Sequence, residues 1–201
     1  MKKLAIVFFI ITCYSLILFN ANGEVRLPAV IGDHMVLQQQ SDVKLWGWCD
    51  PNEKINVSSG WDTVTYKTIG NADGKWMVSI KTPVVGGPYE VTLNGNNKVV
   101  IEDVLIGEVW VCSGQSNMEM NYNWGIKQYT SDAEHSSNKS IRVFHIPRLT
   151  ALYQQDDTKG HWVVCNPDDM KKFSLAGYFF GQKLEETLDV PVGLIESDWG
   201  G

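Results

Sequence analysis

Between Glu24 and about Asp103, short runs of β-branched and aromatic residues alternate with turn signals. In "TVTYKTI", Val64, Tyr66 and Thr68 fall on one face, and Thr63, Thr65, Lys67 and Ile69 on the other. That period of two predicts a half-buried antiparallel strand, because successive side chains of a strand point to opposite sides. "VKLWGW", "KINVSS", "KWMVSIK" and "YEVTLNG" read as further strands, and Asp73-Gly74 marks a tight turn. Strands spaced about ten residues apart, with no helical periodicity between them, predict a small antiparallel β-sandwich over residues 24–103.

The pattern changes at Val104. "VLIGEVWVC" is apolar except for Glu108, as expected of a strand covered on both faces. Asn121 to Lys139 is polar and reads as helix or loop, "IRVFHI" as a strand ending before Pro147, and Arg148 to Asp169 mostly as loop. A helix follows, with Ser174 as its N-cap and Ala176, Phe180, Leu184 and Leu188 recurring at i+4. Gly177 and Gly181 cost that helix stability, so their expected use is close approach to a sheet. Val192 to about Glu196 reads as a strand opening into Gly200-Gly201. The alternation predicts an α/β domain with a parallel sheet over residues 104–201.

Residues 1–23 fall outside this pattern. Lys2 and Lys3 precede an apolar run that ends in Ala21-Asn22-Gly23, which predicts a cleaved secretory signal and hence an exported protein, periplasmic or extracellular. An uncleaved anchor is the alternative, since the apolar run is near spanning length. After cleavage no contact with a membrane is expected. The net charge is −6 and no basic run is present, which argues against nucleic acid as a partner. Cys49, Cys112 and Cys165 remain in the mature part. Cys112 and Cys165 can pair in an oxidising compartment, or all three can be buried thiols.

Reactive groups in an open α/β sheet sit just past the carboxyl ends of its strands. Ser113 and Ser116 are both placed there by "VWVCSGQSNMEM". Gly114 lets the chain turn sharply before Ser116. A serine at such a turn can expose its hydroxyl and aim its own N–H at the same substrate oxygen. A cap or plain turn residue is the competing reading. "ESDWGG" ends another strand, where a glycine N–H can approach a ligand closely and act as an oxyanion donor. A simple glycine turn is again the alternative.

"GEVWVCSGQSNMEM", "FSLAGYFFGQKL" and "VPVGLIESDWGG", in this order, resemble the nucleophile block, following helix and oxyanion-glycine block of the sialate O-acetylesterase family of SGNH (GDSL-like) hydrolases. "RLPAVIGDHMVLQQ" and "VKLWGWCDPNEKINV" resemble the β-domain that precedes the catalytic domain in many members. The resemblance implies a flavodoxin-like second domain and hydrolysis of O-acetyl esters on a sugar or glycan. It makes Ser116 the nucleophile. The N–H groups of Ser116 and of Gly200 or Gly201 would stabilise the oxyanion, and no metal or organic cofactor is required. A histidine, oriented by an aspartate, would serve as base.

In that family the histidine, the aspartate and an oxyanion asparagine lie downstream of the glycine block. The expectation is therefore an N-terminal fragment with an incomplete hydrolase domain, inactive alone. His34 reads as a turn residue, His135 as solvated and His145 as packed between Phe144 and Ile146. His161 is the least unsuited to act as base. Glu119 and Asp198 read as loop residues or caps, with contact to substrate as the alternative. Trp110, Trp162 and Trp199 read as core, with a sugar-stacking surface as the alternative. No arginine cluster reads out the carboxylate of sialic acid. A non-catalytic carbohydrate-binding or structural module is the competing function, and the sequence leaves the oligomeric state open.

Overall fold

A computed structural model describes residues 23–126 and 130–200. The expected signal segment lies outside the described residues except for Gly23. The chain is mixed α/β. Its strands are β1 (Val36–Gln38), β2 (Asp42–Trp48), β3 (Lys54–Ser59), β4 (Thr65–Ile69), β5 (Lys75–Lys81), β6 (Gly86–Asn94) and β7 (Lys98–Gly114), then β8 (Asn138–His145), β9 (Trp162–Cys165) and β10 (Val192–Asp198). Its helices are α1 (Ser116–Glu119), α2 (Thr130–Glu134), α3 (Pro167–Met170) and α4 (Leu175–Leu188).

Among the described residues, eight strands form one sheet along the path β4-β3-β6-β7-β10-β8-β9, with β1 paired to β7. β7 joins two regimes. Its first part pairs antiparallel with β6, and its last part pairs parallel with β10, which is itself parallel to β8. β2 and β5 form a separate antiparallel pair. On β5 the alternation is complete: Trp76, Val78 and Ile80 are buried while Lys75, Met77, Ser79 and Lys81 are exposed. Those buried side chains, with Leu45 of β2, pack on Ile55, Val57, Val91 and Leu93 of the large sheet.

The boundary expected between Asp103 and Val104 falls inside β7, where Asp103 adopts a left-handed φ of 54°. The larger core cluster also draws Phe144 and Trp162 from beyond that point. Trp162 Nε1–H donates to the Val30 carbonyl at 2.8 Å, tying β9 to the N-terminal segment. Asp103 is a junction of its own: it accepts from Arg142 and from His34 Nδ1, each at 2.7 Å. Burial alone would push its carboxyl up, but the Arg142 and His34 hydrogen bonds outweigh that and hold it low.

Two sequence readings need correction. The segment read as loop from Arg148 to Asp169 contains β9, which pairs antiparallel with β8. Four residues with polar flanks carry too little periodicity to announce a strand, and it is the partner that defines it. "VLIGEVWVC" is not covered on both faces, since Trp110 and Val111 are 44% and 64% exposed. The helix reading matches the structure. Ser174 Oγ accepts the Gly177 N–H at 3.0 Å, an N-cap that contributes about 1 kcal/mol. A Cβ on Gly181 would lie 2.6 Å from Leu194 Cδ1, so the missing side chain is what seats α4 on β10.

Candidate active site

β7 and β10 run in parallel register with Asp198 opposite Gly114, so the two sequence blocks end side by side. Trp199 N–H donates to the Gly114 carbonyl at 3.0 Å and ties the glycine block to the nucleophile turn. Ser116 opens α1 directly after this turn and is exposed. The N–H groups of Met118 and Glu119 return to the Gln115 carbonyl at 2.8 and 3.0 Å, which leaves the Ser116 N–H outside the ring of local hydrogen bonds. Gly200 lies against this turn. A Cβ at Gly200 would sit 3.4 Å from Ser116 Oγ and 2.3 Å from Glu119 Oε2, so a side chain here would displace the Glu119 carboxylate. Gly201 is outside the described residues.

The Gly200 N–H has a partner that the sequence did not suggest: it donates to Glu119 Oε2 at 2.6 Å. Glu119 Oε1 in turn meets Arg148 Nη1 at 2.5 Å, and Arg148 Nη2 meets Asp198 Oδ1 at 3.2 Å. Glu119 and Asp198 are both buried. They are neither loop polar groups nor caps. They are the anionic arms of an arginine clamp that fastens α1, the end of β10 and the segment after β8 to one another. Buried carboxylates need such a partner, because removing charge from water is costly without one. Sequence reasoning did not single out Arg148. The available signal was an arginine just past a strand end, matched to acidic residues in two other strand-end blocks.

A second buried carboxylate sits two residues before Asp198 on β10. Glu196 is 2% exposed, accepts the Ser174 N–H at 2.8 Å and meets His145 Nδ1 at 2.5 Å. Burial pushes the Glu196 carboxyl up and the neighbouring Asp198 adds to this, while His145 opposes it. His145 is pushed up in turn, first by its hydrogen bond to Glu196. The expectation that His145 packs between apolar neighbours is not met. Phe144 faces the core, so the next residue along the strand faces away from it, and His145 is half exposed in a cavity of about 350 Å³ beside His161 and Lys172.

Among the described residues no histidine hydrogen-bonds Ser116. His34 is held by Asp103, His135 Nδ1 lies 2.7 Å from the Ser131 carbonyl, His145 is held by Glu196, and His161 is exposed. Trp110, Trp162 and Trp199 do not share one environment: Trp162 is core, whereas Trp110 and Trp199 are 44% and 53% exposed. Cys112 and Cys165 are separate buried thiols, pushed by burial up to about 11 and about 12, and Cys49 is only partly buried. No group of three or more metal-ligating side chains occurs among the described residues.

The chain is 30% identical over 194 residues to the sialate O-acetylesterases of Mus musculus and Homo sapiens. The chain belongs to the sialate O-acetylesterase family. The matches cover 88% of this chain but only 36% and 37% of those two relatives, so it spans little more than a third of their length. A crystal structure of a carbohydrate acetylesterase from Xanthomonas citri superimposes with a TM-score of 0.81 at 30% identity, covering 88% of this chain and 41% of that one. No family model matches the sequence.

Proposed function

We propose that the chain is the nucleophile-bearing part of an exported carbohydrate O-acetylesterase. The observation that carries this reading is an exposed Ser116 opening a helix at a strand end, with Gly200 packed against its hydroxyl. Ser116 Oγ attacks the acetyl carbonyl carbon, the bond to the sugar oxygen breaks, and the sugar hydroxyl leaves with a proton. Water then hydrolyses the acetyl-enzyme, releasing acetate and restoring Ser116. The Ser116 N–H supplies one oxyanion donor. The glycine block, at Gly200 or Gly201, supplies the second.

On this reading residues 24–103 are a β-sandwich domain. Residues 104–201 begin a flavodoxin-like hydrolase domain, and residues 1–23 direct export. On the same reading, residues 23–200 alone are expected to turn over no ester. The substrate is an acetylated sugar or glycan, in keeping with the names of the relatives.

The test is hydrolysis of 4-nitrophenyl acetate, O-acetylated sialic acid and acetylated xylan by the protein expressed from its whole reading frame. Ser116→Ala is expected to remove all turnover on all three while leaving the melting temperature unchanged. Retention of turnover by that variant overturns Ser116 as the nucleophile.

A further inference from the structure

The outward face of the β2–β5 pair carries chemistry that ester hydrolysis leaves unused. Along β2, Leu45 and Gly47 are buried, while Trp46 and Trp48 turn to the other face and remain partly exposed. Their cross-strand partners there are Met77, 54% exposed, and Lys75. Thr68 Oγ donates to the Met77 carbonyl at 2.8 Å and brings β4 alongside as a wall. The result is a groove of about 460 Å³.

Two indoles two residues apart on a strand stand about 7 Å from each other, which suits one or two pyranose rings laid across them. Two contacts hold Trp48 in place. The Arg26 guanidinium carbon lies 5.5 Å from the Trp48 ring centroid, and buried Trp76 donates Nε1–H to the Trp48 carbonyl at 3.3 Å. The rim is polar. Asn71 Oδ1 accepts the N–H groups of Asp73 and Lys75 at 3.0 and 2.8 Å, which orients the amide and leaves its NH2 without a described partner. Lys75 Nζ pairs with Asp156 at 2.6 Å, so the two charges on the rim cancel.

Flat apolar faces, uncharged donors and acceptors, and no net charge match the surface of a neutral sugar. Such a ring has one apolar C–H face and a rim of hydroxyls. An anionic ligand finds the lining cation, Lys75, already paired with Asp156, and a wholly apolar one would strip water from Asn71 and the ion pair without replacing it. We propose that this groove is a binding site for neutral saccharide rings, sharing no residue with the Ser116 site. It does not depend on Ser116 being a nucleophile.

Affinity electrophoresis through native gels containing soluble xylan, galactomannan or hydroxyethylcellulose tests this, with calorimetry on the matching oligosaccharides. Retardation by at least one polymer is expected. Trp46→Ala weakens binding about tenfold or more, the loss typical of truncating an aromatic anchor. Asn71→Ala, at an exposed turn, weakens it as well and decides the matter if Trp46→Ala does not fold. Ser116→Ala leaves retardation unchanged, so failure of the esterase reading and failure of this one are read separately. No retardation by any of the three polymers overturns the proposal, as does retardation undiminished in both groove variants.

Discussion

Single side chains decide the electrostatics at the end of β10. Glu196 holds His145 through Nδ1 and raises its affinity for a proton above the ordinary imidazole value of 6.5. A histidine that binds its proton more tightly folded than unfolded contributes its full stabilisation below 6.5. That contribution is lost as pH rises through the higher folded value. Unfolding free energy from urea melts is therefore expected to decline on the alkaline side of 6.5, and Glu196→Gln should flatten the decline. NMR titration of the His145 ring should show its midpoint above 6.5 in the wild type and lower in Glu196→Gln. An unchanged midpoint would remove Glu196 as the cause. Neither residue's role was legible in the sequence, because a carboxylate and an imidazole 51 positions apart meet only through strand pairing. The exposed turn carrying Ser116 was legible, because Gly114 to Asn117 are consecutive in the chain.

Among the elements, α4 shows how a local pattern and a tertiary contact divide the information. Its N-cap and apolar spacing are written in neighbouring residues and were readable. The purpose of Gly181 needs Leu194, whose side chain is fully buried beneath the helix. Gly181→Val is expected to lower the unfolding free energy by about 2 kcal/mol, since overpacking a filled core costs about 1–3 kcal/mol. Gly181→Ala should cost less, because alanine returns about 1 kcal/mol of helix propensity. Equal stability of wild type and Gly181→Val in denaturant titrations would show that α4 does not press on β10. β9 stands at the opposite pole. "WVVC" is rich in strand-favouring residues but too short to stand out from the loop before it, and its ladder to β8 is what fixes it as a strand.

For the molecule as a whole, β7 is the shared element. Its 17 residues serve an antiparallel neighbourhood first and a parallel one afterwards, and Phe144 and Trp162 reach back into the core built by the earlier strands. A single calorimetric unfolding transition, seen alike by tryptophan fluorescence and far-UV circular dichroism, is the expected result. Two resolved transitions would mean that the two stretches fold apart. Composition and spacing announced two kinds of sheet, but not that one strand belongs to both.

β7 also has a consequence outside catalysis. From Val109 to Gly114 its pairing with described strands is to β10 alone, and Val111 stands largely in water. Gln38 Oε1 accepts the Val109 N–H at 3.0 Å and shields only the first rung. The remaining rungs present backbone donors and acceptors with apolar side chains between them, the surface on which a foreign strand adds most readily. Strand addition by a second copy at these rungs is therefore expected to grow with protein concentration, and light scattering over a dilution series checks it.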